Sequence, residues 1–239
     1  MERAYHRWLS PALGRPAELL VFGHRGTPML VFPTAGGRFY EYEDHGMIHA
    51  LRNRIEQGQL QLFCVDSIDH ESWFCEQISP AARIARHDTW ERYLLDEVLP
   101  FIYAQNPEPA LTVHGCSFGA THAVLFGLRH PARVRRIIGF SGVYDIGRWL
   151  GDHQGDDRYF HEPLAFISGL QEDATARELR RLDIVLAVGR EDSVNVSNAQ
   201  LSDALWAKGI WHALRWWDGA AHDWPYWQQM IQLYIGGAR

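Results

Sequence analysis

The stretch Ala110–Ala120, ALTVHGCSFGA, is a short apolar run that ends in the pattern Gly115-x-Ser117-x-Gly119. Its alternation predicts a β-strand, and the residues that follow, Phe118 to His130, have helical spacing and stop at Pro131. Strand, sharp turn and helix together make an elbow that lifts a serine hydroxyl clear of a sheet. Such a hydroxyl is a weak nucleophile at neutral pH and needs a base beside it and donors for the oxyanion it creates. The elbow leaves the Phe118 N–H pointing where that oxyanion would form. Glycines on both sides suit a strained turn pressed by its neighbours. Ser117 is therefore the candidate nucleophile, and the Phe118 amide the first candidate donor.

Bulk properties permit this chemistry and remove rivals. A chain of 239 residues, 46% hydrophobic, suits one α/β domain over 1–239 with a substantial core. The net charge of −6 leaves no basic footprint for nucleic acid, and no Lys/Arg run suggests an anionic membrane. No run of about 18 apolar residues occurs, so membrane insertion is not expected. The first residues, MERAYHRWLSPALGRP, contain no apolar signal core. Three cysteines (Cys64, Cys75, Cys116) cannot all pair, which fits free thiols in a reducing compartment. The expectation is a cytoplasmic protein.

Upstream of the elbow, Leu19–Phe22 and Met29–Phe32 are β-rich runs separated by a Gly/Pro turn, Gly23–Pro28, which predicts that they pair as an antiparallel hairpin. His24 in that turn reads as structural. The loop Pro33-Thr34-Ala35-Gly36-Gly37 follows. A Gly-Gly pair lets backbone approach a ligand, and by position the Gly37 amide is expected as the second oxyanion donor. Asp44 can cap a helix whose buried stripe is Met47, Leu51 and Ile55. His45 and His49 lie four apart but lack the Glu of a His-Glu-x-x-His site, so no metal is expected there.

Leu60–Val65 predicts a buried strand, and the segment after it carries Trp73, either a pocket wall or an anchor for the loop. Pro80–Ala104 has helical spacing, with Pro100 expected to kink it. Val134–Phe140 is another strand. The irregular stretch 143–171, with Tyr144, Trp149, Tyr159 and Phe160, reads either as a small cap over the site or as a decorated loop.

Ile184–Val188 predicts a strand, with Glu191 and Asp192 just beyond it. A carboxylate there can orient an imidazole, and Asp192 is preferred with Glu191 its rival. Helix Asn195–Lys208 and strand Trp211–Trp217 lead to Ala221-His222-Asp223-Trp224-Pro225. His222 sits where a general base belongs, while Asp223 and Pro225 read as the start of a helix over Trp224–Ile235. Ser117, Asp192 and His222 thus each follow a strand, in the chain order of the α/β-hydrolases. Trp73, Tyr144 and Trp224 are the candidate substrate contacts.

With these residues in place, the chain resembles the α/β-hydrolase-fold esterases, in particular the family of esterase D-like and mycolyltransferase-like proteins. The matching segments are Phe32–Gly37 (FPTAGG), Glu43–Met47 (EDHGM), Gly115–Ala120 (GCSFGA), Gly189–Asp192 (GRED) and Ala221–Trp227 (AHDWPYW). The resemblance implies a mostly parallel sheet with an antiparallel N-terminal hairpin, helices on both faces, and Ser–Asp–His acyl chemistry on a small-molecule ester. It implies Gly37 and Phe118 in the oxyanion positions. This chemistry needs no metal or organic cofactor. Transfer of the acyl group to an alcohol other than water uses the same triad, and a hydrolase-fold binding protein without activity is a reading from a different class.

Overall fold

Eight strands form one sheet: β1 Arg3–Ser10, β2 Arg15–Phe22, β3 Thr27–Phe32, β4 Leu60–Val65, β5 Thr112–Cys116, β6 Arg136–Phe140, β7 Asp183–Gly189 and β8 His212–Trp217. They were located in a computed structural model that describes residues 1–151, 153 and 155–236. The spatial order is β1-β2-β4-β3-β5-β6-β7-β8. The pairs β1–β2 and β2–β4 are antiparallel; every later pair is parallel. The inner parallel strands are covered on both faces, which is why they read as unbroken apolar runs.

The antiparallel hairpin exists, but its members differ from those expected. It is β1 with β2, in register from Arg3↔Phe22 to Ser10↔Arg15. Leu19–Phe22 and Met29–Phe32 do not pair, because β4 lies between β2 and β3. Gly23 and Gly26, both at positive φ (88° and 98°), turn the chain so that it steps past the β4 position. β1 escaped the sequence reading because it is an edge strand whose inward residues are His6, Trp8 and Ser10 rather than aliphatics.

Helices cover both faces. On one side pack α1 Glu41–Asp44, α2 Met47–Ala50, α3 Arg52–Glu56 and the last helix, α12 Trp224–Tyr234. Strand β2 shows the alternation: Leu20 and Phe22 face this layer, while Leu19 and Val21 face the other. The second layer contains α4 Pro80–Tyr93, α5 Leu99–Gln105, α6 Phe118–Arg129, α7 Gly147–Leu150, α8 Asp156–His161, α9 Pro163–Gly169, α10 Ala174–Leu179 and α11 Asn195–Ala207. Met47, Leu51 and Ile55 are buried as expected. Met47 lies in α2 and Ile55 in α3, however, with Leu51 at the break between them (φ −99°, ψ 1°), and Gly46 at φ 72° separates α1 from α2, so Asp44 ends α1 instead of capping α2. Ahead of Pro100 the helix widens to a π turn at Leu94–Val98. A ring that lacks an N–H and crowds the preceding turn explains that widening.

The stretch 143–171 folds into α7, α8 and α9, and α10 follows before β7, with residues 152 and 154 outside the described set. Arg83 on α4 donates to the carbonyls of Cys75 and Trp149 at 2.8 Å each, tying α7 to the loop after β4. No described helix is long and apolar enough to cross a membrane.

Candidate active site

Ser117 stands between β5 and α6 at φ 53°, ψ −125°, a conformation that costs a non-glycine residue about 1–3 kcal/mol. The motif glycines have visible reasons. A Cβ on Gly115 would collide with the Gly119 backbone, and one on Gly119 with the carbonyl oxygens of Phe32 and Pro33. Helix α6 can therefore press against the end of β3 only with glycine at 119.

Two loops bring the other polar groups to Ser117. The Arg190 N–H donates to Trp217 O (2.8 Å) and the Glu191 N–H to Gly219 O (3.0 Å), stitching the turn after β7 to the turn after β8. A Cβ on Gly189 would strike the Ala220 carbonyl, so the approach again requires glycine. Ala221, at φ 48°, then swings His222 toward the elbow. His222 Nε2 lies 3.1 Å from Ser117 Oγ, and its Nδ1 lies 3.0 Å from both Asp192 oxygens. Ser117 and His222 are half-buried, whereas the Asp192 carboxylate is sealed. Glu191 is exposed and turned away, which decides between the two acids.

Burial by itself would raise the Asp192 carboxyl, but the His222 hydrogen bond, the Val194 N–H and the Ser141 hydroxyl outweigh it and hold the group below its ordinary value. The arrangement keeps Asp192 as an acceptor for Nδ1–H, leaving Nε2 free to accept a proton from Ser117. Ser141, at φ 53° just after β6, and Trp227, whose indole N–H reaches Ser141 Oγ at 3.5 Å, complete this support. Neither residue was singled out from the sequence. A Ser-Gly pair after a strand reads as an ordinary turn, and its left-handed backbone is set by tertiary packing.

The loop after β3 corrects one expectation. The Gly37 N–H donates to Thr34 O at 2.9 Å, closing a turn through Gly36 at φ 64°, so this amide is already engaged. A Cβ at 37 would run into the Glu41 carboxylate, so the glycine serves that close approach rather than a ligand. The neighbouring amides are engaged too: Thr34 N–H by Glu41 (2.8 Å) and Gly36 N–H by Asp69 (2.9 Å). Among the described residues, none accepts from the Ala35 N–H. The Phe118 N–H, at the first position of α6, has no acceptor within its own helix.

A family model described as "Putative esterase" matches residues 42–233, most of the chain. The chain belongs to this esterase family. Its fold is that of the α/β-hydrolase esterases, and it is a hydrolase of ester bonds. A ferulic acid esterase is similar in structure, with TM-score 0.79 and 15% identity, covering 97% of this chain and 95% of that one. An S-formylglutathione hydrolase from Staphylococcus aureus gives 0.72 and 19%, covering 98% and 95%. Another from Agrobacterium tumefaciens gives 0.75 and 13%, covering 98% and 92%. No curated protein matches the sequence significantly.

In this esterase the aromatic candidates divide. Trp73 is buried against His87 (4.8 Å between ring centres) in a cluster with Ile84, Phe118, Ile146 and Leu150, so it anchors its loop and offers no wall. Tyr144 is fully buried, its ring filling the space that a Cβ on Gly139 or Gly142 would need, and it too cannot touch a ligand. Trp224 is half-buried and stacks face to face on His45 at 4.3 Å. Beside the elbow, Phe118 meets Phe74 (5.1 Å) and Trp149 (4.9 Å), both partly exposed. The Arg148 guanidinium covers Trp149 at 3.9 Å. Asp223 caps α12 through the Trp224 N–H (2.7 Å), as its sequence position suggested.

Behind the elbow lies a buried polar layer that the sequence did not reveal. His87, Glu91 and His161 bring ligand-type atoms within 4.8 Å of one another. The Arg129 guanidinium, however, pairs with Glu91 (2.5 Å) and reaches His161 Nε2 (3.2 Å). A cation is thus already seated in that group, and a metal ion would have to displace it.

Proposed function

We propose that the protein is a serine carboxylesterase that works through an acyl-enzyme. The observation that carries this reading is the continuous line Ser117 Oγ···Nε2 His222 Nδ1···Asp192, with spacings of 3.1 and 3.0 Å. His222 takes the Ser117 proton as Oγ attacks the ester carbonyl carbon. The tetrahedral oxyanion is held by the N–H groups of Phe118 and Ala35, the latter replacing Gly37. Collapse breaks the bond to the alkoxy oxygen, and His222 returns the proton to the departing alcohol. Water then attacks the acyl-serine with the same base, releasing the acid and restoring Ser117. Asp192 holds the imidazole in one tautomer throughout. Removing one oxyanion donor from such a site costs about 10²–10³ in turnover.

Trp224 is the retained substrate contact, and Phe74 and Trp149 replace Trp73 and Tyr144 on the acyl side. The substrate is a small-molecule ester. The test is hydrolysis of p-nitrophenyl esters from C2 to C12, with a feruloyl ester and S-formylglutathione added because relatives are named for them. Turnover that disappears in Ser117→Ala is the expected result. Equal turnover in wild type and Ser117→Ala would overturn the assignment, and the preferred chain length would size the acyl site.

A further inference from the structure

The Ala35 N–H, which has no acceptor among the described residues, is bracketed by two amides that are tied down by carboxylates. On one side Glu41 accepts from the Thr34 N–H (2.8 Å) and the Thr34 hydroxyl (2.7 Å). On the other, Asp69 Oδ2 accepts from the Gly36 N–H at 2.9 Å. The second Asp69 oxygen, Oδ1, lies 2.9 Å from Nε2 of His122. His122 belongs to α6, five residues beyond Ser117 and four beyond Phe118. Asp69 and His122 are 0% and 2% exposed, so water competes for neither bond.

From this geometry we infer that Asp69 and His122 are positioning residues that clamp the loop bearing the Ala35 amide to the helix bearing the Phe118 amide. The inference rests on the ester-cleaving reading above. The physical need is plain. The two donors come from different elements, one from a loop containing a left-handed Gly36 and one from a helix N-terminus. Their stabilisation of an oxyanion depends on separation, and a displacement of about 1 Å at such a site can cost about 10²-fold in rate. Close packing of Gly119 on the Phe32 and Pro33 carbonyls brings helix and strand end together. It does not by itself orient the loop beyond Pro33. Asp69, on a short 3₁₀ turn after β4, supplies that restraint by accepting from both partners at once. The charge-assisted bonds available to a sealed carboxylate make this a stiff link. His122 also packs edge-on to the Phe118 ring at 4.9 Å, so its position is coupled to the residue that carries the other donor.

The test compares Asp69→Ala, Asp69→Asn, His122→Phe and His122→Gln with wild type, using p-nitrophenyl ester kinetics and amide hydrogen exchange over residues 34–37. A clamp predicts a kcat loss of about 10- to 100-fold in Asp69→Ala with KM nearly unchanged, because the ground-state ester does not need the donors. Asp69→Asn falls in between, since one amide oxygen cannot serve both donors. His122→Phe keeps the ring volume and loses the link, whereas His122→Gln restores a donor and regains most of the loss. Exchange at Gly36 speeds up in Asp69→Ala and His122→Phe while the rest of α6 stays protected, which separates loop release from unfolding. Unchanged Gly36 exchange, or kcat within twofold of wild type in folded Asp69→Ala, would overturn the clamp. A wild type inert on every ester and thioester tried would count instead against the ester-cleaving reading.

Discussion

Two histidine–carboxylate pairs in this esterase have almost the same nitrogen–oxygen spacing, although His222 brings Nδ1 to both Asp192 oxygens and His122 brings Nε2 to one Asp69 oxygen. His222 sits 3.0 Å from Asp192, and His122 sits 2.9 Å from Asp69. They differ in what stands on the far side. His222, half-buried, turns its second nitrogen to a half-buried serine oxygen, and only its carboxylate partner is sealed. In the other pair both members are sealed, and the carboxylate spends its second oxygen on the Gly36 amide. On the reading proposed above, the same two groups serve proton transfer in one place and rigidity in the other. Exposure and the third partner decide the role, and the hydrogen bond between the rings and carboxylates does not.

Substitutions can sharpen or break this contrast, beginning with the largest effect. Ser117→Ala removes the third partner of the open pair and should lower ester kcat about 10⁶-fold, measured with a p-nitrophenyl ester at saturating concentration. Asp192→Asn leaves the geometry but favours the wrong tautomer, and should cost about 10⁴-fold in kcat. If Asp192→Asn and Asp69→Asn lowered kcat equally, the two pairs would not have the distinct roles assigned to them. Gly119→Ala drives a methyl into the Phe32 and Pro33 carbonyls. Overpacking of this kind costs about 1–3 kcal/mol, read as a lower denaturation midpoint. Activity should fall further than stability, since both donor elements move apart.

Another buried histidine, His114 on β5, has no carboxylate partner among the described residues. Its Nδ1–H donates to Ile138 O at 2.9 Å, and burial pushes its pKa down to about 4 despite that bond. The folded value lies below the unfolded one, so above about pH 6.5 both states are neutral and the full stability is present. Between pH 6.5 and 4 the unfolded chain binds a proton that the folded chain refuses, and stability declines by about 2 kcal/mol by pH 5. His114→Asn, which keeps the donor to Ile138, should flatten that decline in urea titrations at pH 7 and 5. An unaltered slope would place the acid sensitivity elsewhere, for example at His87, whose pKa is also pushed well down by burial. The smallest effect expected is for Trp224→Ala, which removes the ring stacked on His45 and should raise KM several-fold with kcat nearly intact.

Much of the site was readable because its parts are local. The elbow announces itself in eleven residues, Asp192 follows the unbroken apolar run of β7, and His222 follows the aromatic-rich strand β8. Helix-start chemistry at Asp223 separated that acid from the triad before any geometry was known. Gly37 was misread for an equally local reason. A glycine pair signals freedom of the backbone, but whether that freedom serves a ligand or a turn depends on where Thr34 O and the Glu41 carboxylate lie. Trp73 and Tyr144 look like pocket aromatics in sequence because irregular segments are ordinarily exposed, yet both are sealed by the helices that follow them.

By itself, then, the sequence determined the fold class and the strand–elbow–helix unit, and it marked Ser117, an acid at 191 or 192 and His222, in that order, as the candidates for the site. Those features follow from periodicity, turn chemistry and position along the chain. Tertiary structure alone decided the pairing of β2 with β1 and β4, the choice of Asp192 over Glu191, the turn that engages Gly37, and the Asp69–His122 link. Each of these depends on which groups meet across tens of residues in the chain. A lone aspartate and a lone histidine, 53 positions apart, carry no mark in sequence of the bond they make in space.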